Sequence, residues 1–351
     1  MTDKQSGRLS LKAKIFIALG LILVISLAIT AFNYYLRYFG PSVTDNEQYL
    51  YIHTGSDFDD VYKTIRDKEI VKDSVVFQWV ALNMNYPKAV KPGKYKLTAG
   101  MGNRRFINML KAGNQEPVKL SFRGYRLKED FAGYVSKQLE PDSVSLVRLL
   151  DSTAFISKYG FNRDNVYAMF IPNSYEMYWN ISTDKFFKRM YDEYQKFWTE
   201  KRNEKAKALG LTPIQVSTLA AIVDAEALHD SEMPAVAGLY LNRHKRGMKL
   251  QADPTVIYAN KDFSIRRVLN RHLIKDSPYN TYVYAGLPPG PIMMPSIKAI
   301  DAVLNYQKHN YLYMCAKEDF SGYHNFAVTV AEHQANARRF QQALNERNIK
   351  K

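Results

Sequence analysis

Apolar positions along the chain change period several times, and each change marks a predicted element. Ile15 to Phe32 carry no charge over 18 residues, preceded by Lys4, Arg8, Lys12 and Lys14 and followed by Asn33-Tyr34-Tyr35-Leu36 and Arg37. That length suffices to cross a hydrocarbon core, and the tyrosines suit an interface. No small-x-small site precedes the aromatic cluster, which favours an uncleaved anchor over residues 15–36 rather than a signal peptide. The positive charge of residues 1–14 puts that tail in the cytoplasm and the rest of the chain outside, which in a bacterium means a single-pass protein of the inner membrane with a periplasmic domain.

Beyond a polar linker from Gly40 to Glu47, alternating and helical periods predict a small α+β module over residues 48–122. It has a strand at Tyr49–Ile52, a helix at Asp57–Asp67 with Ser56 as an alternative start, a helix at Val75–Leu82, a strand after Pro92-Gly93, a helix at Asn103–Lys111 and a strand at Pro117–Phe122. Residues 123–345 read as a larger mixed α+β domain. Leu127, Phe131, Val135 and Leu139 predict helix within 126–160, and an aromatic loop, Phe170 to Trp179, turns at Pro172-Asn173. One long helix is expected over 183–208. Helices at 213–227 and 233–246 follow, then an extended, turning segment at 250–258 and a stiff Gly/Pro-rich loop through 279–292. A helix at 296–306, strands at 311–316 and 324–328, and a helix at 330–344 complete the chain. The fold class is α+β throughout.

The helix from Pro213 carries the clearest local signals. Thr212 is placed as N-cap, Pro213 at the first helical position and Gln215 three residues after the cap, with Leu211 and Val216 spaced as a hydrophobic staple. Val216, Leu219, Ala220, Val223 and Ala227 define a core-directed face. Glu226 stands beside that face, where a carboxyl group holds its proton more tightly than in water and becomes a general acid/base candidate. From this stretch alone, the edge of an ordinary solvated face is the favoured reading of Glu226.

Composition narrows the possibilities. The 351 residues suit two or three domains, and 46% hydrophobic with 24% charged residues is globular. A formal charge of +15, from 49 Lys and Arg against 34 Asp and Glu, favours an anionic polymer or lipid surface. Nucleic acid is not expected, since zinc-finger spacing, recognition-helix and RNA-binding aromatic motifs are missing. A single cysteine, Cys315, excludes an internal disulfide and a cysteine-cluster metal site. No His-Glu-x-x-His or helical His-x-x-x-His pair suggests a metal, no Gly-x-Ser-x-Gly suggests acyl transfer, and the Gly-rich loop lacks a phosphate-loop lysine. Asp224 lies two residues from Glu226 and points elsewhere on a helix, so it makes a poor partner for two-carboxylate hydrolysis. One carboxyl group can still cleave a glycosidic bond when the substrate supplies the nucleophile.

From about 211 to 345 the sequence resembles the endolytic murein transglycosylase, or YceG-like, family. Leu219 to Glu226, Asn242-Arg243, Gly247 to Tyr258, Tyr279-Asn280-Thr281-Tyr282, Gly286 to Ile292, and His324-Asn325-Phe326 with Thr329 and His333 follow that family in order and spacing. The resemblance extends more weakly to the anchor, to a LysM-like module with the Lys91 to Tyr95 turn, and to the loop from Phe170 to Tyr175. It implies an enzyme, without metal or organic cofactor, that cleaves between N-acetylmuramic acid and N-acetylglucosamine in nascent peptidoglycan. The products carry 1,6-anhydromuramic ends, so that polymerisation stops, and cell-wall synthases are implied partners. The family's catalytic glutamate matches Glu226. Gln251, Asp253, Tyr258, Asn280, Tyr282 and His324 are expected to orient the sugar or Glu226, and Pro172, Tyr175, Pro288 and Gly290 to shape the groove. A structural role is the alternative for each, Asp253-Pro254 above all. Of the departures from the family pattern, Asp224 for glutamate weakens a role requiring reach and leaves Glu226 unaffected, while Tyr167-Ala168-Met169 for a Leu-Glu-Gly-like run and Asn173 for aspartate bear on subsite contacts. A non-catalytic glycan-binding scaffold that recruits synthases is the competing reading.

Overall fold

The computed structural model describes residues 10–347, which form two compact units, 10–118 with 178–180, and 119–177 with 181–347. In the first, α1 (Leu11–Phe39) is capped by Ser10 and buries none of its residues. Among the described residues it is the one unbroken helix long and apolar enough to cross a membrane. The following polar linker is tied down by isolated bridges, Pro41 to Gly102 and Val43 to Val71. Next come β1 (Tyr49–Ile52), α2 (Phe58–Asp67), α3 (Ser74–Asn83), β2 (Gly93–Lys96) and α4 (Asn103–Ala112), with β1 and β2 antiparallel and Leu50 opposite Tyr95. α2 starts one residue after the expected Asp57, because Asp57 serves as its N-cap and closes a reciprocal capping box with Asp60. Phe58, Ile65, Phe77, Tyr86, Tyr95 and Phe106 fill this unit's core.

The second unit continues from β3 (Val118–Ser121) into α5 (Lys128–Gln138), α6 (Ser143–Asp151) and α7 (Thr153–Ile156), and β3 pairs with β4 (Ser174–Met177). The long helix expected over 183–208 is two helices, α8 (Thr183–Phe197) and α9 (Glu200–Ala208). Thr199 causes the break: its side chain caps α9, while Arg202 and Asn203 bond back to the carbonyls of Phe197 and Trp198.

Helices α10 (Pro213–Glu226) and α11 (Met233–Lys245) follow, then α12 (Asp253–Asn260), where an extended segment was expected. Asp253-Pro254 reads as a breaker, but Pro in a first turn gives up an N–H that has no helical partner anyway. The short α13 (Asn270–Leu273) and α14 (Ile297–Leu304) lead to the antiparallel pair β5 (Tyr313–Ala316) and β6 (His324–Ala327), covered by α15 (Val330–Glu346). The core is centred on α10, α11 and α14. α10 could pass for half of a bent membrane span with α9, but Val216 to Val223 are all buried within this core, so it is the unit's central helix.

Candidate active site

Thr212 and Gln215 form the capping box predicted for α10, with the cap oxygen 3.2 Å from the Gln215 N–H. The burial is wider than the expected face: Ser217, Thr218 and the alanines are as enclosed as Leu219 and Val223. Small side chains allow this, and the Thr218 hydroxyl is satisfied within the helix by the Ile214 carbonyl at 2.8 Å. The helix ends at Glu226, half-buried in the wall of a cavity of about 430 Å³ between α11, the start of α12, β5 and β6.

Tyr240, one side of α11, donates its hydroxyl to Glu226 Oε1 at 3.0 Å. The backbone N–H of Asp253, at the first turn of α12, also donates to the Glu226 carboxylate. Both bonds favour the anion, yet burial outweighs them and raises the Glu226 carboxyl from 4.5 to about 7. Asp224 is also raised by burial, but it points away and accepts from the Ser296 N–H (2.8 Å) and hydroxyl (3.1 Å) at the cap of α14.

A turn beyond Tyr240, the guanidinium of Arg243 is held by carbonyls of Leu312 (2.6 Å) and Leu250 (2.8 Å) and by Gln251 Oε1 (3.2 Å), and lies 5.3 Å from the Tyr313 ring centre. It is bonded to neutral acceptors, so it contributes an uncompensated positive charge to the cavity wall. Opposite it, Glu232 grips His324 twice, accepting from the backbone N–H at 2.8 Å and sitting 2.7 Å from Nδ1. A bond from Nδ1–H to the buried carboxylate leaves Nε2 as the His324 atom available to a ligand. His333, stacked on Tyr313, has its proton affinity lowered by burial and by Arg243.

Five of the expected site residues thus share one cavity: Glu226, Gln251, Asp253, Tyr282 and His324. Gln251 takes a left-handed backbone (φ 51°), with its N–H on the Thr281 carbonyl, and Tyr282 donates to Asp253 Oδ1 at 2.7 Å. The others stand elsewhere. Asn280 is fully buried and binds the carbonyls of Leu273 and Lys275, while its Oδ1 accepts the Tyr282 N–H at 3.0 Å, one step behind the cavity. Tyr258 packs on Tyr279 and borders a separate small cavity with Pro254 and Ile257. Tyr175 is buried beside Phe122 with its hydroxyl on the Ile171 carbonyl, and half-buried Pro172 follows in the same loop. Pro288 is buried, and Gly290 packs so closely on the Asp164 carbonyl that a Cβ would come within 2.0 Å. None of these borders the Glu226 cavity. Among the described residues, no group of three His, Cys, Asp or Glu side chains is gathered to hold a metal.

The model of the YceG-like family matches residues 50–339, most of the chain. The chain belongs to the YceG-like family. Within it, an endolytic murein transglycosylase of Bacillus subtilis is 26% identical over 90% of this chain and 79% of its own length. One of Streptococcus pneumoniae is 25% identical over 81% of this chain, which spans just 57% of that relative. A crystal structure of a yceG-like protein from Listeria monocytogenes shares the fold, with a TM-score of 0.55 at 22% identity over 82% of this chain and 97% of that one.

Tyr240 and Glu232 reach the site without a sequence motif to mark them. The spacing of Tyr240 and Arg243 on one helix was the available signal for the first. Glu232 sits in a three-residue turn whose pattern carries none.

Proposed function

We propose that this YceG-like protein is a membrane-anchored lytic transglycosylase, acting on the bond between N-acetylmuramic acid and N-acetylglucosamine in nascent glycan strands and so ending their growth. The observation that carries this reading is the Glu226 carboxyl, raised to about 7 by burial in a cavity and in contact with Tyr240. At neutral pH such a group is part acid and part base, which a single-residue mechanism requires. The names of the Bacillus and Streptococcus relatives support the substrate class.

Protonated Glu226 gives its proton to the glycosidic oxygen as the C1–O4 bond breaks and positive charge develops on the sugar ring. The 6-hydroxyl of the muramic residue then attacks C1, and its proton passes to the Glu226 carboxylate, restoring the acid. No water is consumed and no metal or organic cofactor enters. Tyr240 and the Asp253 N–H stabilise the transient carboxylate, Tyr282 and Asp253 brace one another on one wall, and His324 offers Nε2 to the sugar from another. Asn280 positions Tyr282. Tyr258, Pro172, Tyr175, Pro288 and Gly290 act through the loops they fix.

On this reading residues 1–14 are cytoplasmic, 15–36 the anchor, 48–122 a LysM-like module and 123–345 the periplasmic catalytic domain, with cell-wall synthases as partners. Asp253 in the same cavity favours one competing scheme, hydrolysis with a second carboxylate as base. Digestion of purified glycan strands separates the two by mass: transglycosylation adds nothing per cut, whereas hydrolysis adds one water. Water-bearing ends would refute the proposal, and binding without any cleavage would indicate a scaffold.

A further inference from the structure

The first unit carries a groove that the proposed cleavage reaction does not use. It has a volume of about 690 Å³ and is lined by Lys96, Arg104 and Arg105, with Phe39, Met101 and Met109 giving an apolar floor. No acidic side chain borders it. Arg104 and Arg105 stand in the first turn of α4, both exposed, and the Arg104 guanidinium lies 5.4 Å from the Phe39 ring centre. Three cations facing one cleft without carboxylates repel one another, a cost that an anionic ligand relieves.

The position of the groove at the end of α1 is fixed. Buried Asn103 donates to the Arg37 carbonyl at 2.9 Å and accepts from Ser42 at 2.6 Å, and Gly102 approaches the Phe39 carbonyl so closely that a Cβ would lie at 2.9 Å. α3 packs on the same end: Trp79 meets Tyr34 and Tyr38 edge-on, and Arg37 lies over its ring at 5.1 Å. The 29 residues of α1 span about 43 Å at about 1.5 Å each, against about 30 Å of hydrocarbon and 40–45 Å with headgroups. A helix of that length crossing a bilayer brings Phe39, and the groove it lines, to the headgroup layer. On α3, Val75, Trp79 and Leu82 fall at the i, i+4, i+7 spacing of one face, and Val75 (68%) and Leu82 (52%) are exposed. Beside the mouth of a membrane helix, that apolar stripe matches the buried face of an interfacial helix.

We propose that the first unit lies on the bilayer surface and that Lys96, Arg104 and Arg105 bind the phosphate headgroup of an anionic phospholipid. The phosphate meets the guanidinium groups, the glycerol reaches Asn108 and Asn114 at the rim, and the acyl chains run down along α1 past Phe39.

The test is native mass spectrometry of the full chain released from nanodiscs holding phosphatidylglycerol and phosphatidylcholine in equal amounts. Wild type should retain phosphatidylglycerol preferentially. The pair Arg104→Gln and Arg105→Gln should weaken that retention about thirtyfold, each residue being worth about fivefold at an anionic surface. Lys96→Gln alone should weaken it about fivefold, which keeps the proposal testable should the double variant misfold. Arg104→Lys with Arg105→Lys should restore it. Equal retention of both lipids, or an unaffected glutamine pair, would overturn the proposal. So would displacement of the lipid by dissolved glycerol phosphate, which would identify a site for free phosphate.

Discussion

Replacing Glu226 by Gln should make the protein progressively more stable relative to wild type as pH rises. In the unfolded chain this carboxyl ionises near 4.5, whereas in the fold burial holds its proton to about 7. Between those values the native state binds a proton that the unfolded state has lost, so native stability falls as pH rises. The Glu226 contribution is therefore fully present below about pH 4.5 and lost through about pH 7. The difference of roughly 2.5 units corresponds to about 3 kcal/mol. Gln cannot ionise and escapes this loss. Its amide offers one acceptor oxygen to the two donors, Tyr240 and the Asp253 N–H, a pH-independent offset of about 1 kcal/mol. The slope of the difference between variant and wild type is thus the informative quantity. Thermal unfolding of both proteins in the same detergent from pH 4 to 8 should show the variant gaining about 6 °C relative to wild type, at about 2 °C per kcal/mol. Glycan cleavage should disappear in the same variant. A difference that stays flat from pH 4 to 8 would show Glu226 to be an ordinary solvated carboxylate and would remove the basis for its proposed role.

Tyr240→Phe removes a donor to the Glu226 anion, worth about 1.5–3 kcal/mol, so the carboxyl should rise by a further one to two units. Cleavage that depends on protonated Glu226 should then persist to correspondingly higher pH, and an unmoved alkaline limb would show that the bond does not govern the proton. Glu232→Gln should free the His324 ring and lower kcat/KM about tenfold, the value of one charge-assisted bond; a ring made mobile by NMR with unchanged kcat/KM would show that His324 does not touch the sugar. Cys315 lines the Glu226 cavity, and burial raises its thiol above the usual 9.0, so maleimide should react slowly at neutral pH and faster in alkali. Glycan oligomers should slow the labelling and the adduct should block cleavage, whereas full activity after complete labelling would put the substrate elsewhere.

The features legible in the sequence were those written in local spacing. The capping box of α10 and the apolar run of α1 are written in contiguous stretches, and the structure has both elements where the pattern put them. The break at Thr199 was hidden because the charges of 200–207 continue a helical pattern, while Thr gives no stronger cap signal there than Ser182 gives at the start of α8. At Asp253-Pro254 the breaker reading prevailed, although the hydroxyl of Thr255 on the Ala252 carbonyl and on Thr281 stabilises a helix start. Tyr240, Glu232 and Arg243 each hold a partner 14 to 92 positions away, Arg243 beside nearer ones at Leu250 and Gln251, and the distant pairings follow from tertiary packing alone. Tyr258 and Asn280 share segments with the cavity-lining Asp253 and Tyr282, but side-chain direction sends one to a Tyr279 stack and the other into a loop.

Asp224 and Glu226 show how one helix end separates two like groups. Two residues apart on a helix they diverge by about 200°. Burial raises both carboxyl groups, so burial alone does not distinguish them. Their surroundings do. Asp224 is engaged by Ser296 through a backbone N–H and a hydroxyl, the same hydroxyl that caps α14, so its carboxylate joins α10 to α14. Glu226 meets a phenol and one N–H and otherwise faces open cavity. The buried alanines let α11 and α14 pack closely around α10, which fixes the direction in which each carboxylate emerges. A one-residue shift in the end of α10 would turn Asp224 off Ser296 and Glu226 off Tyr240 together. The rigid apolar body of the helix is therefore as necessary to the proposed chemistry as the acid at its tip.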